Sequence, residues 1–422
     1  MKGKQDNIDR RNFLKVVGAA GLGSVIAECK GKEETKPGPV ESETPEKTQE
    51  SQFPQVPRRK LGKTGVEVSC LGLGTMFNLV DSQIVLRNTL KWGVNYWDTS
   101  HNYAGGNSEL GIGKFLLANP EARKDLFIVS KASGAKTVAD VEERLATSLQ
   151  RMNIKYIDLY YAPHGADDPA QFTDELKQWA QSAKKRKLIR FFGFSTHSNM
   201  TKCLTAAAKL DWIDVIMPRF NFRAMQDPEM QAAMDACHKA NIGLVAMKTT
   251  GKTTIKRFRE EIETEAEKKL VAHFLQRGFT PEQAAIKLVL ADGRISSAPV
   301  QMENTAIIAQ NVAAVLDKTE LTQADREVFR EYAQATCSGY CAGCAEICDA
   351  ALGDLPYVSD IMRYLMYYNS YGDTDRARVL FAQIPRDVRN RLLSTDYSTA
   401  ESRCPQRLPI SELIAEAVSK LA

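Results

Sequence analysis

The 422-residue chain has no excess of charge, with 56 Lys and Arg against 52 Asp and Glu and a formal net charge of +4. The two signs are interspersed, so the basic footprint expected of a nucleic-acid binder is missing. Histidine is scarce at five residues, and no Ser or Cys stands beside one in a triad pattern, which argues against nucleophilic acyl chemistry. The turn after the first candidate strand, Gly72 to Phe77, reads "GLGTMF" and lacks the G-x-G-x-x-G spacing of a doubly wound dinucleotide fold. No flavin motif is visible either.

An apolar run of bilayer length is also missing near the start. Asp9-Arg10-Arg11-Asn12-Phe13-Leu14-Lys15 precedes a Gly- and Ala-rich run from Val16 to Ala27, too short for a stable membrane anchor. Paired arginines before such a run resemble a twin-arginine export signal, here spanning 1–29, and imply a periplasmic destination. Cys29 ends the run and is a candidate for lipid attachment, although Glu28 departs from the small residue that lipoprotein signals prefer. Residues 30–57 are polar and rich in Pro, Glu and Thr, a composition that cannot bury a core and predicts a flexible tether.

From Val68 onward, short β-branched runs alternate with segments of helical period. Eight strands are expected at Val68–Gly74, Asn95–Ser100, Leu126–Lys131, Ile157–His164, Ile189–Thr196, Ile213–Phe220, Gly243–Lys248 and Ile295–Val300. Intervening segments such as Val138–Met152 and Thr280–Leu290 carry apolar residues at helical spacing. Strict alternation of this kind predicts a (β/α)8 TIM barrel over 58–320, followed by a mainly helical, cysteine-rich region over 321–422.

Chemistry in such barrels sits at the C-terminal ends of the strands. Asp98 and Tyr103, Lys131 and His164 follow strands two, three and four. A phenol beside an ammonium is a proton donor whose pKa the ammonium lowers, and an imidazole can orient a carbonyl oxygen beside it. The expected roles are Tyr103 as acid, Lys131 and Asp98 as its electrostatic support, and His164 as a hydrogen-bond donor to the substrate.

The stretches "GVNYWDTSHNYAGGNSELGIGKFL", "LFIVSK", "IDLYYAPHG" and "KLIRFFGFSTH" resemble the aldo-keto reductases, over about Arg59 to Ala314. The resemblance implies a catalytic tetrad of Asp98, Tyr103, Lys131 and His164. It implies a nicotinamide cofactor across the mouth and a small carbonyl or alcohol substrate. On the cofactor side it points to Gly74, Thr75 and Met76, to Ser195 and Thr196 for the carboxamide, to Phe220 for ring stacking, and to Gln310 and Asn311 near the adenine. Thr196, Met217 and Phe220 stand where the family usually has Asn, Gln and Tyr. In "SSAPVQMENTAIIAQN" no base stands ready for a 2′-phosphate and Glu303 is present, so NAD or loosely held NADP is expected. These departures leave a second reading, an exported barrel that serves as scaffold or electron carrier without nicotinamide.

Five of the nine cysteines fall in the last hundred residues, four of them within "CSGYCAGCAEIC". Four thiols in twelve residues call for zinc, disulfides or an iron–sulfur cluster. Cys341, Cys344 and Cys348, with Cys404 preceding Pro405, resemble the degenerate ferredoxin-like tail of some aldo-keto reductases. The resemblance implies one [4Fe–4S] cluster on Cys341, Cys344, Cys348 and Cys404, with Cys337 as the alternative fourth ligand. The cluster would brace the tail or pass electrons to a partner, and zinc is the rival occupant.

Overall fold

A computed structural model describes residues 53–251, 265–353, 355 and 357–422. The export motif, Cys29 and nearly all of the tether lie outside these residues.

Eight parallel strands close into a barrel. A two-stranded antiparallel hairpin precedes them, β1 (Arg58–Lys60) and β2 (Glu67–Ser69). The barrel strands are β3 (Leu71–Gly74), β4 (Tyr96–Asp98), β5 (Phe127–Lys131), β6 (Ile157–His164), β7 (Ile189–Thr196), β8 (Val215–Pro218), β9 (Gly243–Val245) and β10 (Ile295–Gln301). β10 pairs with β3 to close the ring. Each expected strand is present, but the first divides: Val68 belongs to the hairpin, and the barrel strand begins at Leu71. The hairpin brings buried Leu61 and Val68 against Tyr96, Phe127, Leu159 and Val245, so it plugs the barrel interior. Short strands interrupted by one polar turn conceal such a hairpin in the sequence.

Helices shield the outer faces of the strands. Helix Val138–Met152 is typical: Thr137 accepts from the Asp140 amide at 3.1 Å while Asp140 accepts from the Thr137 amide at 2.9 Å, a reciprocal cap that satisfies two otherwise orphaned donors. Val141, Leu145, Ser148 and Met152 are buried, one stripe spaced for a helix. Asn153 ends it in the left-handed conformation at φ 52°. Helix Gln323–Ala335 packs Val328, Phe329 and Tyr332 onto Phe222, Leu270 and Phe274 of the barrel body.

The tail has a core of its own. Helix Val358–Tyr371 contributes Ile361, Met362 and Leu365, which pack with Phe381, Leu392, Leu413 and Ile414. Its seams with the barrel are polar and lie at the barrel mouth. Arg219 donates to the carbonyl of Cys341 at 2.6 Å and to that of Ala342, the Asn199 amide donates to Gly343 at 2.9 Å, and Ser198 and Ser359 hydroxyls meet at 3.1 Å. The tail therefore roofs the end where strand-borne chemistry is exposed. Among the described residues no helix is long and apolar enough to cross a membrane.

Candidate active site

Strand register brings the expected groups together. Gly74 lies level with Asp98, Asp98 with Val129, and Lys131 with Tyr161, so adjacent strands end in a common rim. Tyr103 follows β4 in a tight turn held by glycines. Gly106 has φ 98°, a backbone conformation that favours glycine.

Lys131 Nζ donates to Asp98 Oδ2 at 2.7 Å, to the Thr99 carbonyl at 2.7 Å and to the Tyr103 hydroxyl at 3.4 Å. Burial opposes its charge, but Asp98 and Tyr103 outweigh burial and raise its pKa above the ordinary value. Burial likewise lifts Asp98, and Lys131 draws it partly back. For Tyr103 the outcome differs from the sequence expectation. Burial is the larger effect, so the phenol stands above its ordinary 10 although Lys131 and Arg376 pull it down. A raised phenol stays protonated at neutral pH, which suits a proton donor.

His164 is oriented by a residue the sequence reading passed over. Ser133 Oγ lies 2.6 Å from His164 Nδ1 and also contacts Ser100 Oγ. With Nδ1 occupied, Nε2 is left for the cleft. Burial, then Lys131, Arg376, Arg363 and Lys248, hold this imidazole well below 6.5, so it is neutral.

The tetrad lines one cleft of about 620 Å³ with Gly74, Thr75, Met76, Met217, Gln310 and Asn311. Glu282, Gln283 and Glu303 line the same cleft, and Gln283 Nε2 donates to the Gln310 carbonyl at 2.8 Å. Asn311 Nδ2 is buried without a protein partner, a donor suited to a bound polar ligand. A cleft of this volume, lined both by the tetrad and by this amide pair, fits a dinucleotide. Ser195, Thr196 and Phe220 are buried and do not line it. Ser195 Oγ instead accepts from the Gly165 amide at 3.2 Å and Thr196 donates to the Ser198 carbonyl at 3.0 Å. Thr196 is a short β-branched residue already occupied by its own loop, so it does not reach where a longer amide could.

The roof supplies residues that sequence order could not associate with the barrel. Tyr367 and Arg376 line the cleft, as does Lys248 just beyond β9. Lys248 had a signal, its place at the end of an expected strand. Arg376, more than two hundred residues from the tetrad, had none.

In the tail, Cys341, Cys344, Cys348 and Cys404 line a single small enclosed cavity, and Cys337 does not. All eight described cysteines are free thiols. Among the described residues no three His, Cys, Asp or Glu side chains are grouped tightly enough to hold one metal ion. Burial pushes Cys341 up and Cys344 to about 11, so both are neutral thiols near pH 7.

Known proteins agree with this geometry. Residues 70–331 match the Aldo/keto reductase family. The chain is 26% identical over 298 residues to L-galactose dehydrogenase of Arabidopsis thaliana, covering 65% of this chain and 92% of that one. Among solved structures, the holo form of aldo-keto reductase AKR11C1 from Bacillus halodurans superposes with TM-score 0.54 at 22% identity, over 66% of this chain and 96% of that chain. The thermostable aldo-keto reductase Tm1743, in complex with epalrestat, gives TM-score 0.52 at 24% identity, over 65% and 99%. These structures share the barrel fold over about two thirds of this chain. A closed eight-stranded barrel, a tetrad on one rim and a match over most of the barrel place the chain in the aldo/keto reductase family of NAD(P)H-using oxidoreductases.

Proposed function

We propose that the protein reduces a small carbonyl compound, or oxidises the matching alcohol, with NAD as the preferred nicotinamide. The observation that carries this reading is the Lys131 contact with both Asp98 and Tyr103 on the cleft that ends at Asn311. When bound, the nicotinamide supplies or accepts the hydride. The chain's own residues handle the proton. Tyr103 gives its hydroxyl proton to the carbonyl oxygen, Lys131 stabilises the phenolate left behind, and Asp98 keeps Lys131 charged and aimed. His164 donates from Nε2 to the same oxygen and sets its position. Reversal takes the alcohol proton back to Tyr103.

The preference for NAD rests on Glu282 and Glu303 beside Gln310, where a 2′-phosphate would meet carboxylates. The cysteine cavity supports one [4Fe–4S] cluster on Cys341, Cys344, Cys348 and Cys404, bracing the roof. Arg10-Arg11 and the run after them support export by the twin-arginine route to the periplasm, and Cys29 supports a lipid tether there.

An anaerobic titration of the full chain with NADH and with NADPH, followed by nicotinamide fluorescence and visible absorption, tests the cofactor. NADH binding is expected to be the tighter, and failure of both nucleotides to bind would leave a scaffold. Tyr103→Phe is expected to lower kcat/KM for every accepted carbonyl by at least about 100-fold, and unchanged turnover would remove Tyr103 as the acid. Metal analysis is expected to give about four iron and four sulfide per chain, and stoichiometric zinc would replace the cluster reading.

A further inference from the structure

A phenol that gives up its proton in a buried site leaves a phenolate there, and the charges around Tyr103 decide how readily that happens. From β5, Lys131 Nζ lies 3.4 Å from the hydroxyl and 4.8 Å from the ring centre. From β4, Asp98 holds the same ammonium at 2.7 Å. From β6, the His164 ring stands 6.4 Å from the Tyr103 ring, centre to centre, and is neutral. The tail adds the neutral phenol of Tyr367 and a second cation, Arg376 on helix Thr374–Ala382, whose guanidinium lies 5.3 Å from the centre of the Tyr103 ring.

These charges do not balance. Lys131 and Asp98 form an ion pair whose members act on the phenol in opposite senses, the ammonium favouring its ionisation and the carboxylate opposing it. Arg376 has no carboxylate partner among the described residues. Groups without charge hold it instead: its Nη1 donates to Met76 Sδ at 3.0 Å, its guanidinium lies 4.5 Å from the centre of the Tyr367 ring, and its Nε is buried with no hydrogen-bond partner. A thioether and two aromatic rings fix a guanidinium in place and leave its charge uncancelled. Half-buried among them, that charge is screened less than it would be in open water. The groups around Tyr103 therefore carry one net positive charge while the phenol is protonated, and the phenolate cancels it.

We propose that Arg376 is a positioning residue of the tetrad, contributed by the tail, whose uncancelled charge holds the phenolate that Tyr103 becomes once its proton has moved. This role rests on the carbonyl-reduction reading above and deepens it. In reduction, Tyr103 hands its proton to the carbonyl oxygen, and Lys131 and Arg376 together stabilise the phenolate as it forms. In oxidation, the phenolate must be present beforehand to take the alcohol proton, so the fraction of protein able to react follows the Tyr103 titration directly. Burial lifts that titration above its ordinary 10, and Lys131 and Arg376 draw it partly back. The roof thus takes part in the chemistry besides covering the mouth.

The test uses the full chain purified anaerobically, with 4-nitrobenzaldehyde and NADH in one direction and 4-nitrobenzyl alcohol and NAD in the other. In oxidation kcat/KM is expected to rise with pH until Tyr103 is ionised. Arg376→Gln is expected to move that limb up by about one pH unit and so to cut oxidation at pH 8 by about 10-fold. Reduction at pH 7, where Tyr103 is protonated in both proteins, is expected to fall by only about 3-fold. Arg376→Lys keeps the charge and is expected to hold the limb within about half a unit of its original place. Arg376→Met, neutral and of similar length, takes over if Arg376→Gln does not fold. A limb left in place in the folded neutral variant overturns the proposal, as does one moved equally by Arg376→Lys.

Labelling with [13Cζ]tyrosine reads Tyr103 without turnover. Its signal, assigned by its loss in Tyr103→Phe, is expected to titrate in the unaltered chain, and in the neutral variant about one unit higher or not at all. Equal midpoints overturn the proposal, and so does a signal that stays unmoved in the unaltered chain up to about pH 11. If neither probe compound reacts, or Tyr103→Phe turns them over as well as the unaltered protein does, the acid role of Tyr103 fails, and the two midpoints alone decide whether Arg376 holds the phenolate.

Discussion

Ser133 decides which face of His164 can act. Its hydroxyl at 2.6 Å from Nδ1 occupies one ring nitrogen, and the contact with Ser100 ties that hydroxyl to the loop after β4. Removing it leaves a buried ring nitrogen unmet and frees the imidazole to change tautomer, at a cost of about 1–3 kcal/mol. Ser133→Ala is therefore expected to lower kcat/KM by roughly 5- to 100-fold. Loss in both kcat and KM would mark an orienting role, and steady-state kinetics on one good carbonyl checks it. Lys131 differs in kind: its three contacts leave no slack, and Lys131→Met would strand Asp98 in a site where burial already raises its pKa.

The loop that carries the cysteines is fixed to the barrel through backbone carbonyls, which Arg219 and the Asn199 amide bind. Gly343 makes that approach possible. It has φ 71°, and a Cβ there would lie 2.3 Å from the His197 carbonyl, against backbone that cannot swing away. Gly343→Ala is expected to cost at least about 2 kcal/mol, read as a lowered thermal midpoint. Elements like this were the least legible in the sequence. The barrel strands could be read because each is a short apolar run between polar turns, and Asp98, Lys131 and His164 because each ends such a run, whereas Tyr103 lies in the turn beyond β4 and was picked out with the family resemblance. The hairpin over Arg58–Ser69 was hidden, since three-residue strands leave too little alternation to see. The placement of Ser195, Thr196 and Phe220 away from the cleft was equally hidden. It depends on where loop hydrogen bonds go, and residue type does not report that.

The protein holds three of its histidines out of water, two of them at the seam between barrel and tail, and this couples folding to pH. His101 is held at about 4 by burial and by Arg151, while His164 and His197 lie well below 6.5 for similar reasons. A histidine whose folded pKa is depressed stays neutral in the fold but takes up a proton when unfolded below about 6.5. The unfolded chain then binds more protons, so stability is full above 6.5 and declines as pH falls toward 4. Asp349, raised by burial to about 6, acts oppositely: its folded form takes the proton first, which offsets part of the loss in the same window. Asp98 and Asp167, also raised by burial, add to that offset. The histidines outweigh these three carboxyls because two of the three histidine shifts are large and are reinforced by Lys248 at the barrel mouth and Arg363 on the roof. The thermal midpoint is expected to fall by several degrees between pH 6.5 and pH 4.5. His101→Gln should shrink that fall without removing it, because the seam histidines remain. Scanning calorimetry across the window decides the sign: a midpoint that rises on acidification would mean the roof does not keep the seam dry, and the cation-rich mouth would then be open to water.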